Sequence, residues 1–484
     1  MKNVIKFVLD DKIVEVDLTK HPELKPTTTV LNYLRSYPEH KGVKEGCAEG
    51  DCGACTIVLA ELCDNKLIYK TVDSCLVFLP MIHGKQLITV ENLAAVNNKE
   101  KVLHPVQQLM VETNGSQCGY CTPGIVMSLF GLYKNYNNPA REIIEDTLTG
   151  NLCRCTGYQP IIEAAEKACK NNGFDHFTEK ENDTIVLLKK ISDNKETLLL
   201  KNKKQKYFKP FTLIEALKLR KENPDALIIN GSTDVALRQT KKKELLEKIL
   251  DLSSVDELKS FSENNEQCFF GAGMTMEEVR KIAADKFLPI YKILSVFGSL
   301  QIRNIATIGG NVGSASPIGD SPPLLFAYGA KIKLKAETTE RILGIEEFII
   351  GYRKTEIRND ELITEIIIPK NENAILKSYK VSRRKDLDIS TVSAAFKLKL
   401  DKENVSEIIL AYGGMAATTK RAVNCEKFLT GKKWTRENIE AAMKILSEEF
   451  TPLSDARSEA VYRSTVAKNL LMKFYLETKR SSEF

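Results

Sequence analysis

The segment EGCAEGDCGACTI (residues 45–57) puts Cys47, Cys52 and Cys55 within nine residues, with Gly46, Gly50 and Gly53 around them. A C-x4-C-x2-C run followed by a distant fourth cysteine, here Cys75 in TVDSCLVFLP, is the spacing of plant-type [2Fe–2S] sites held by four thiolates. Such a loop wraps its cluster with the backbone close in. Glycine permits the positive φ angles and close approach that aim N–H groups at sulfur, and those hydrogen bonds tune the potential. Structural zinc also takes four cysteines, but it pairs two short hooks, whereas this loop is asymmetric. Around the loop, alternation predicts a hairpin over 3–9 and 12–18, a short helix near 29–36, and strands near 56–62, 66–71 and 86–91. A helix on a small mixed sheet is a β-grasp ferredoxin, expected over residues 1–90.

A second group follows: Cys118 and Cys121 in QCGYCTPGI, then Cys153 and Cys155 in NLCRCTGYQP. Taken alone, this spacing fits zinc as well as iron. Four stretches around it carry apolar residues three and four apart: HPVQQLMVETNG, TPGIVMSLFGLYKN, PAREIIEDTLTG and YQPIIEAAEKACKN. Pro123 and Pro160 stand near helix starts. The cysteines are therefore expected in two loops at helix ends, gripping one site at the end of a small bundle over 91–172.

Composition narrows the classes. Twelve cysteines in a chain without a secretory apolar segment point to a reducing, cytoplasmic setting, where thiols act as ligands rather than disulfides. Cys63, Cys169, Cys268 and Cys425 are isolated and read as ordinary thiols. A net charge of +6 with scattered lysines argues against nucleic-acid binding. No apolar run nears the roughly 18 residues of a membrane span. At 484 residues, and about 100–200 residues per domain, several domains are expected.

Residues 173–198, polar apart from a possible strand TIVLL, read as a linker. Thr212 and Glu215 then form a capping box before a helix. The strand ALII runs into Ile229, Asn230, Gly231, Ser232, Thr233 and Asp234, a small-residue loop that reads as a plain turn or as a diphosphate cradle. In IATIGGNVGSASPIGDSPP, Gly309, Gly310, Asn311 and Gly313 admit a ligand close to the backbone. Thr307, Ser314, Ser316 and Asp320 offer partners for ribose or phosphate. Two such loops favour a bound dinucleotide. GAGMTM lacks the third glycine of G-x-G-x-x-G, so no Rossmann site is expected, and Thr275 with Glu278 caps a helix. Beyond 376, three strands precede two helices, TRENIEAAMKILSEEF and SEAVYRSTVAKNLLMKFYLE.

GCAEGDCGACT, QCGYCTPGIVMS and NLCRCTGYQPIIEA, in this order, resemble the paired iron–sulfur domains of the molybdenum hydroxylases, the xanthine dehydrogenase and aldehyde oxidase family. NGSTDVAL, GAGMTMEEV, IRNIATIGGNVGSASPIGD and YKVSRRKDLDIS resemble that family's FAD domain, which has the vanillyl-alcohol oxidase type of fold. The resemblance implies an α+β multidomain chain. It would comprise a β-grasp [2Fe–2S] ferredoxin domain, a four-helix [2Fe–2S] domain, an α+β FAD-binding domain over 199–375 and a small α+β C-terminal domain over 376–484. It implies that both cysteine groups hold [2Fe–2S] clusters, with Gln117 and Cys155 at the pterin side of the helical one. It further implies that the 229–234 loop, Thr307, Gly309 to Asn311 and Asp320 bind the FAD diphosphate and ribose, with Phe297, Ile363 and Lys380 close to the cofactor. By residue type alone, Phe297 in YKILSVFGSL reads as helix core. SRRKD (382–386) reads equally as a docking or nicotinamide-phosphate segment and as a solvated loop.

The 109 residues from 376 onward leave no room for the family's molybdenum portion, so the molybdenum cofactor is expected on a partner chain. Fusion of the iron–sulfur and FAD portions matches the small subunit of two-subunit xanthine dehydrogenases; carbon monoxide dehydrogenase-type relatives divide them. The expected function is to carry electrons from that partner through both clusters to FAD and then NAD+, within a dimer of heterodimers. The alternatives are the same subunit of an aldehyde or N-heterocycle hydroxylase, or an iron–sulfur scaffold or redox sensor.

Overall fold

The computed structural model describes residues 3–97, 100–170, 175–192, 195–202, 204–371 and 373–480. Two compact units emerge, one of Met1–Asp256 with Gly298–Ala306, the other of Glu257–Phe297 with Thr307–Phe484.

In the first unit, apolar alternation builds a five-stranded sheet in the order Lys12–Asp17, Val4–Leu9, Gln86–Ile88, Thr56–Cys63, Lys66–Asp73. Val4–Leu9 runs parallel to Gln86–Ile88 and the other pairs are antiparallel. The helix Val30–Arg35, capped by the Thr29 hydroxyl, packs on it. The strand Thr56–Cys63 is buried on both faces over its first half. Ile57 and Leu59 join the core with Phe7, Leu34 and Leu76, while Val58 and Ala60 join the core of the helical bundle with Phe130, Ile144 and Ile161. That bundle is Pro105–Glu112, Thr122–Asn135, Arg141–Leu148 and Gln159–Cys169, with Pro123 and Pro160 in first turns, where a missing N–H costs nothing.

The expected strand TIVLL is instead part of a helix, Glu181–Ser192. Acidic Glu181 and Asp183 open it and Lys189 and Lys190 close it, as the helix dipole favours. Leu188 and Ile191, three apart, bury one face against Val8. A second sheet, ordered Leu227–Ile229, Lys248–Asp251, Gln205–Lys209, Leu198–Asn202, shares the ferredoxin core through Leu200, Tyr207, Ile229 and Ile249. The segment expected as one FAD domain, 199–375, is thus divided between the units, its first sheet packing with the iron–sulfur portions. The short return segment Gly298–Ala306 is anchored in the first unit by polar groups. Arg303, fully buried, donates to both carboxylate oxygens of Asp146 at 2.7 Å, and Asn304 Nδ2 donates to the Thr71 carbonyl at 2.9 Å.

In the second unit an antiparallel sheet runs Phe261–Glu263, Gln267–Gly271, Leu362–Pro369, Lys331–Lys335, Glu340–Gly344. The Thr275–Glu278 capping box opens the helix Met276–Lys286. The helix expected to contain Phe297 stops at Leu294, where Ser295 caps it and Gly298 (φ 52°) turns the chain. Phe297 is half-buried rather than core. Strands Ile375–Val381, Val392–Asp401, Asn404–Gly413 and Lys420–Arg421 form the C-terminal sheet. It carries the helices Val423–Leu429, Arg436–Glu449 and Ala460–Arg480 around a core containing Phe396, Tyr412 and Phe474. Among the described residues no helix is long and apolar enough to cross a membrane.

One buried polar cluster locks the bundle to the short helix His176–Glu179, which Asp175 caps. Asp175 meets Lys134 Nζ at 3.0 Å, His104 Nε2 at 3.3 Å and the Thr178 N–H at 2.7 Å. Burial alone would raise its carboxyl, but the hydrogen bonds from His104 and Thr178 and the Lys134 charge outweigh it and hold the group below the ordinary carboxylate range. A depressed folded-state pKa contributes stability above the unfolded value, about 3.9, and that contribution is lost as pH falls from there toward the folded value. Asp175→Asn leaves Lys134 buried without its counter-charge and is expected to destabilise the protein by roughly 3 kcal/mol at neutral pH. Denaturant titrations from pH 7 to pH 3 should show the gap to wild type narrowing below about pH 4.

Candidate iron–sulfur and flavin sites

The first cysteine loop turns through three positive-φ residues, Ala48 (56°), Gly50 (82°) and Gly53 (67°). This folding aims the amides of Glu49 and Asp51 at Cys47 Sγ, at 3.4 and 3.3 Å. The four thiols fall into pairs: Cys47 is hydrogen-bonded to Cys52, and Cys55 to Cys75. The bond from Cys52, with the backbone N–H groups, holds Cys47 at about 5, and the same bond pushes Cys52 up. The Cys75 contact, then burial, pushes Cys55 up. Asp73, which spacing did not single out, is fully buried, lies 3.7 Å from Cys55 Sγ, and is raised by burial.

The second set pairs the same way, Cys118 with Cys155 and Cys121 with Cys153. Cys121 caps the helix Thr122–Asn135, and left-handed Tyr158 precedes Gln159–Cys169, so both loops sit at helix ends as expected. The Cys153 N–H donates to Tyr158 Oη at 2.7 Å, and Thr156 Oγ1 lies 3.1 Å from Cys153 Sγ. Burial, then the Cys153 contact, raises Cys121 to about 12, whereas the Thr156 bonds outweigh burial and lower Cys153. Cys118 and Cys155 are exposed.

Two sets of four thiols, with amides aimed at Cys47 sulfur, are a donor set that would suit two [2Fe–2S] clusters. Cys63, Cys169, Cys268 and Cys425 stand outside both sets.

The 229–234 loop belongs to the first unit. The Ile229 carbonyl accepts from Leu252 N at 2.8 Å. A Cβ on Gly231 would lie 1.7 Å from the Ile305 carbonyl oxygen, so only glycine fits there. Ser232 is left-handed (φ 59°), and its hydroxyl donates to the carbonyl of Leu76, the residue after Cys75. Asp234 precedes the short helix Val235–Thr240 without capping it through its side chain. Lys241, at the end of that helix, donates to the Cys47 carbonyl at 3.1 Å.

The other expected residues lie in the second unit. Thr307 caps Ile308–Ser314 by accepting the Gly310 N–H at 3.1 Å, and Gly309 packs against Ala272, where a Cβ would stand 2.6 Å from its carbonyl oxygen. Asn311 Oδ1 accepts from Ser321 Oγ. Asp320 accepts from Lys380 Nζ at 2.8 Å and from Ser390 Oγ at 2.5 Å, and Lys380 also donates to the Val296 carbonyl at 3.0 Å, beside Phe297. Ile363 lies against Gly313. Spacing named Asp320 and Lys380 separately; that they form one buried pair, each about 5% exposed in its side chain, is a long-range fact. In the SRRKD segment Arg383, Arg384 and Lys385 are exposed, and Arg384 is bound to Asp388 at 2.6 Å.

Comparison with known proteins matches residues 89–166 to a [2Fe-2S] binding domain, 202–371 to the FAD binding domain in molybdopterin dehydrogenase, and 377–478 to the CO dehydrogenase flavoprotein C-terminal domain. The chain is 32% identical, over 98% of its own length, to xanthine dehydrogenase of Emericella nidulans and to xanthine dehydrogenase/oxidase of Gallus gallus. It spans only 38% and 40% of those two proteins. Among solved structures, a chain of carbon monoxide dehydrogenase from Hydrogenophaga pseudoflava superposes with a TM-score of 0.53 at 24% identity, over 55% of this chain and 94% of that one. A chain of quinoline 2-oxidoreductase from Pseudomonas putida 86 gives 0.53 at 22% identity, over 57% and 98%; both likenesses speak to the fold. With the cysteine geometry, these matches establish that the chain belongs to the molybdenum hydroxylase family, of which it carries the iron–sulfur and FAD portion.

Proposed function

We propose that this chain is the electron-transfer subunit of a xanthine dehydrogenase-type enzyme, accepting electrons from a molybdenum cofactor on a partner chain and delivering them to NAD+. One observation carries the reading: both cysteine sets and the 229–234 loop occupy a single packed unit, and the Ser232 hydroxyl joins that loop to the carbonyl next to Cys75. A scaffold or sensor has no need of two cysteine sets and a small-residue loop packed together in this way. The xanthine type and NAD+ rest on the resemblance to the fungal and avian proteins, as do the cytoplasmic setting and the dimer of heterodimers.

Bound clusters pass single electrons, and a flavin joins that traffic to two-electron hydride chemistry. The protein's part is holding and orienting. Cys118, Cys121, Cys153 and Cys155 hold one centre and Cys47, Cys52, Cys55 and Cys75 the other; amides of Glu49 and Asp51 stabilise negative charge on Cys47 sulfur. For FAD, we assign diphosphate and ribose contacts, as the family resemblance implies, to residues 229–234 and to Thr307, Gly309, Gly310, Asn311 and Asp320. Phe297, Ile363 and Lys380 are assigned to its vicinity, with Lys380 oriented by Asp320.

Anaerobic stopped-flow mixing with NADH tests the conduit. Flavin absorbance is expected to bleach and cluster absorbance to follow; bleaching of flavin with neither cluster responding would overturn the proposal. Cys155→Ser, at an exposed ligand, is expected to lower iron from about four to about two per chain while the ferredoxin-type signal persists. Gly231→Ala, which drives a methyl into the Ile305 carbonyl, is expected to lower flavin content with iron unchanged, measured by absorbance and metal analysis of one preparation.

A further inference from the structure

The two cysteine loops touch through their backbones. A Cβ on Gly53 would stand 2.3 Å from the Gly150 carbonyl oxygen, and one on Gly124 would stand 2.1 Å from that of Gly53. Any other residue at either position would part the loops. Hydrogen bonds also cross the contact. The Leu152 N–H donates to the Cys52 carbonyl at 3.0 Å, Tyr120 Oη to the Glu45 carbonyl at 2.5 Å, and Asn151 Nδ2 to the Gly53 carbonyl at 3.1 Å. The first joins a ligand of one set to the residue preceding a ligand of the other.

Asn151 is the centre of this contact. It is 2% exposed, and its Nδ2 also donates to Thr56 Oγ1 at 3.2 Å. Its Oδ1 accepts from Ser128 Oγ at 2.6 Å and from Gln301 Nε2 at 2.9 Å. The amide's donors and acceptor sites are all engaged, by groups from separate stretches of chain. A buried amide whose every donor and acceptor is engaged holds its partners in one arrangement. Holding either cysteine set alone requires none of this, since these bonds run to Gly53, Thr56, Ser128 and Gln301 rather than to a cysteine.

We propose that Asn151 is a positioning residue that fixes the spacing of the two cysteine sets, so that their clusters exchange electrons across the Cys52–Leu152 hydrogen bond. This rests on the proposed function, in which both sets hold [2Fe–2S]. The exchange moves one electron: one centre is oxidised by one and the other reduced by one, with no proton transferred and no bond broken. A through-bond path of this kind is steep in distance, so slackening the contact slows the exchange while leaving each centre intact.

The test uses full-length Asn151→Asp, which retains an acceptor for Ser128 and Gln301 but loses both donors and sets an oxygen against the Gly53 carbonyl. Its iron load is expected to match wild type. Hydrogen exchange at the Leu152 amide should rise by about 10-fold or more, as an opened contact predicts. The magnetic splitting between the two reduced clusters in electron paramagnetic resonance should change, and intercluster exchange should slow by about 10-fold. Gln301→Ala removes one of the two donors to Asn151 Oδ1 and should move the same readouts in the same direction by less. Asn304→Ala, which removes the bonds to the Thr71 carbonyl and hydroxyl, should move none. An Asn151→Asp protein with full iron, unchanged splitting and unchanged Leu152 protection would overturn the proposal. Should that variant not fold, unchanged readouts in Gln301→Ala would do so. Wild-type protein without any cluster signal would strike the proposed function instead, and Leu152 exchange would still judge the clamp.

Discussion

The strand Thr56–Cys63 begins at the residue after Cys55 and is buried on both faces through Ala60. Because successive side chains point to opposite faces, Ile57 and Leu59 commit one face to the ferredoxin core while Val58 and Ala60 commit the other to the helical bundle. A one-residue slip would exchange the two sets, so register is strongly specified. That single strand therefore sets where the first cysteine loop ends relative to the helices carrying the second. Gly53, Gly124 and Gly150 then let the loops close to backbone contact. The first core also runs on through Tyr207, Ile229 and Ile249, so the candidate flavin loop is held by the same packing.

Charge shapes the rest. Thiolates on iron are anionic, and the first loop supplies oriented compensation: two amides aimed at Cys47 sulfur, with the Lys241 ammonium on the Cys47 carbonyl and on Glu49 beside them. Buried ions elsewhere are paired in the usual way, Lys209 with Asp251, Arg303 with Asp146, Lys380 with Asp320. Two of these join segments more than 50 residues apart, and removing one partner would leave an uncompensated charge inside. Such pairs specify which segments meet rather than supply net stability.

What was legible in the sequence is local. Cysteine spacing indicated the two sets, prolines marked the starts of two bundle helices, and Thr212 and Thr275 marked caps that the structure shows accepting from Glu215 and Glu278. TIVLL misled because its β-branched residues suggest a strand, whereas its burial against Val8 follows helical spacing set by a partner far away in the chain. Phe297 misled for the opposite reason: an apolar run extends past the point where Ser295 and Gly298 end the helix. Asn151 and Gln301 carried no local signal at all, and the small-residue loop that singled out Ser232 gave no hint that its hydroxyl bonds Leu76. Each draws its significance from partners at least 20 residues away, such as Ser128 for Asn151 and Leu76 for Ser232. The joining of the 199–256 stretch to the iron–sulfur portions is likewise a matter of shared core, which no motif announces.

All of this depends on eight sulfurs gripping two separate di-iron centres. Metal analysis and electron paramagnetic resonance of anaerobically purified, dithionite-reduced protein address that most directly. The account predicts iron without stoichiometric zinc and two distinguishable [2Fe–2S] signals of about one spin each per chain. Zinc in place of iron, or a single signal at full metal load, would contradict it.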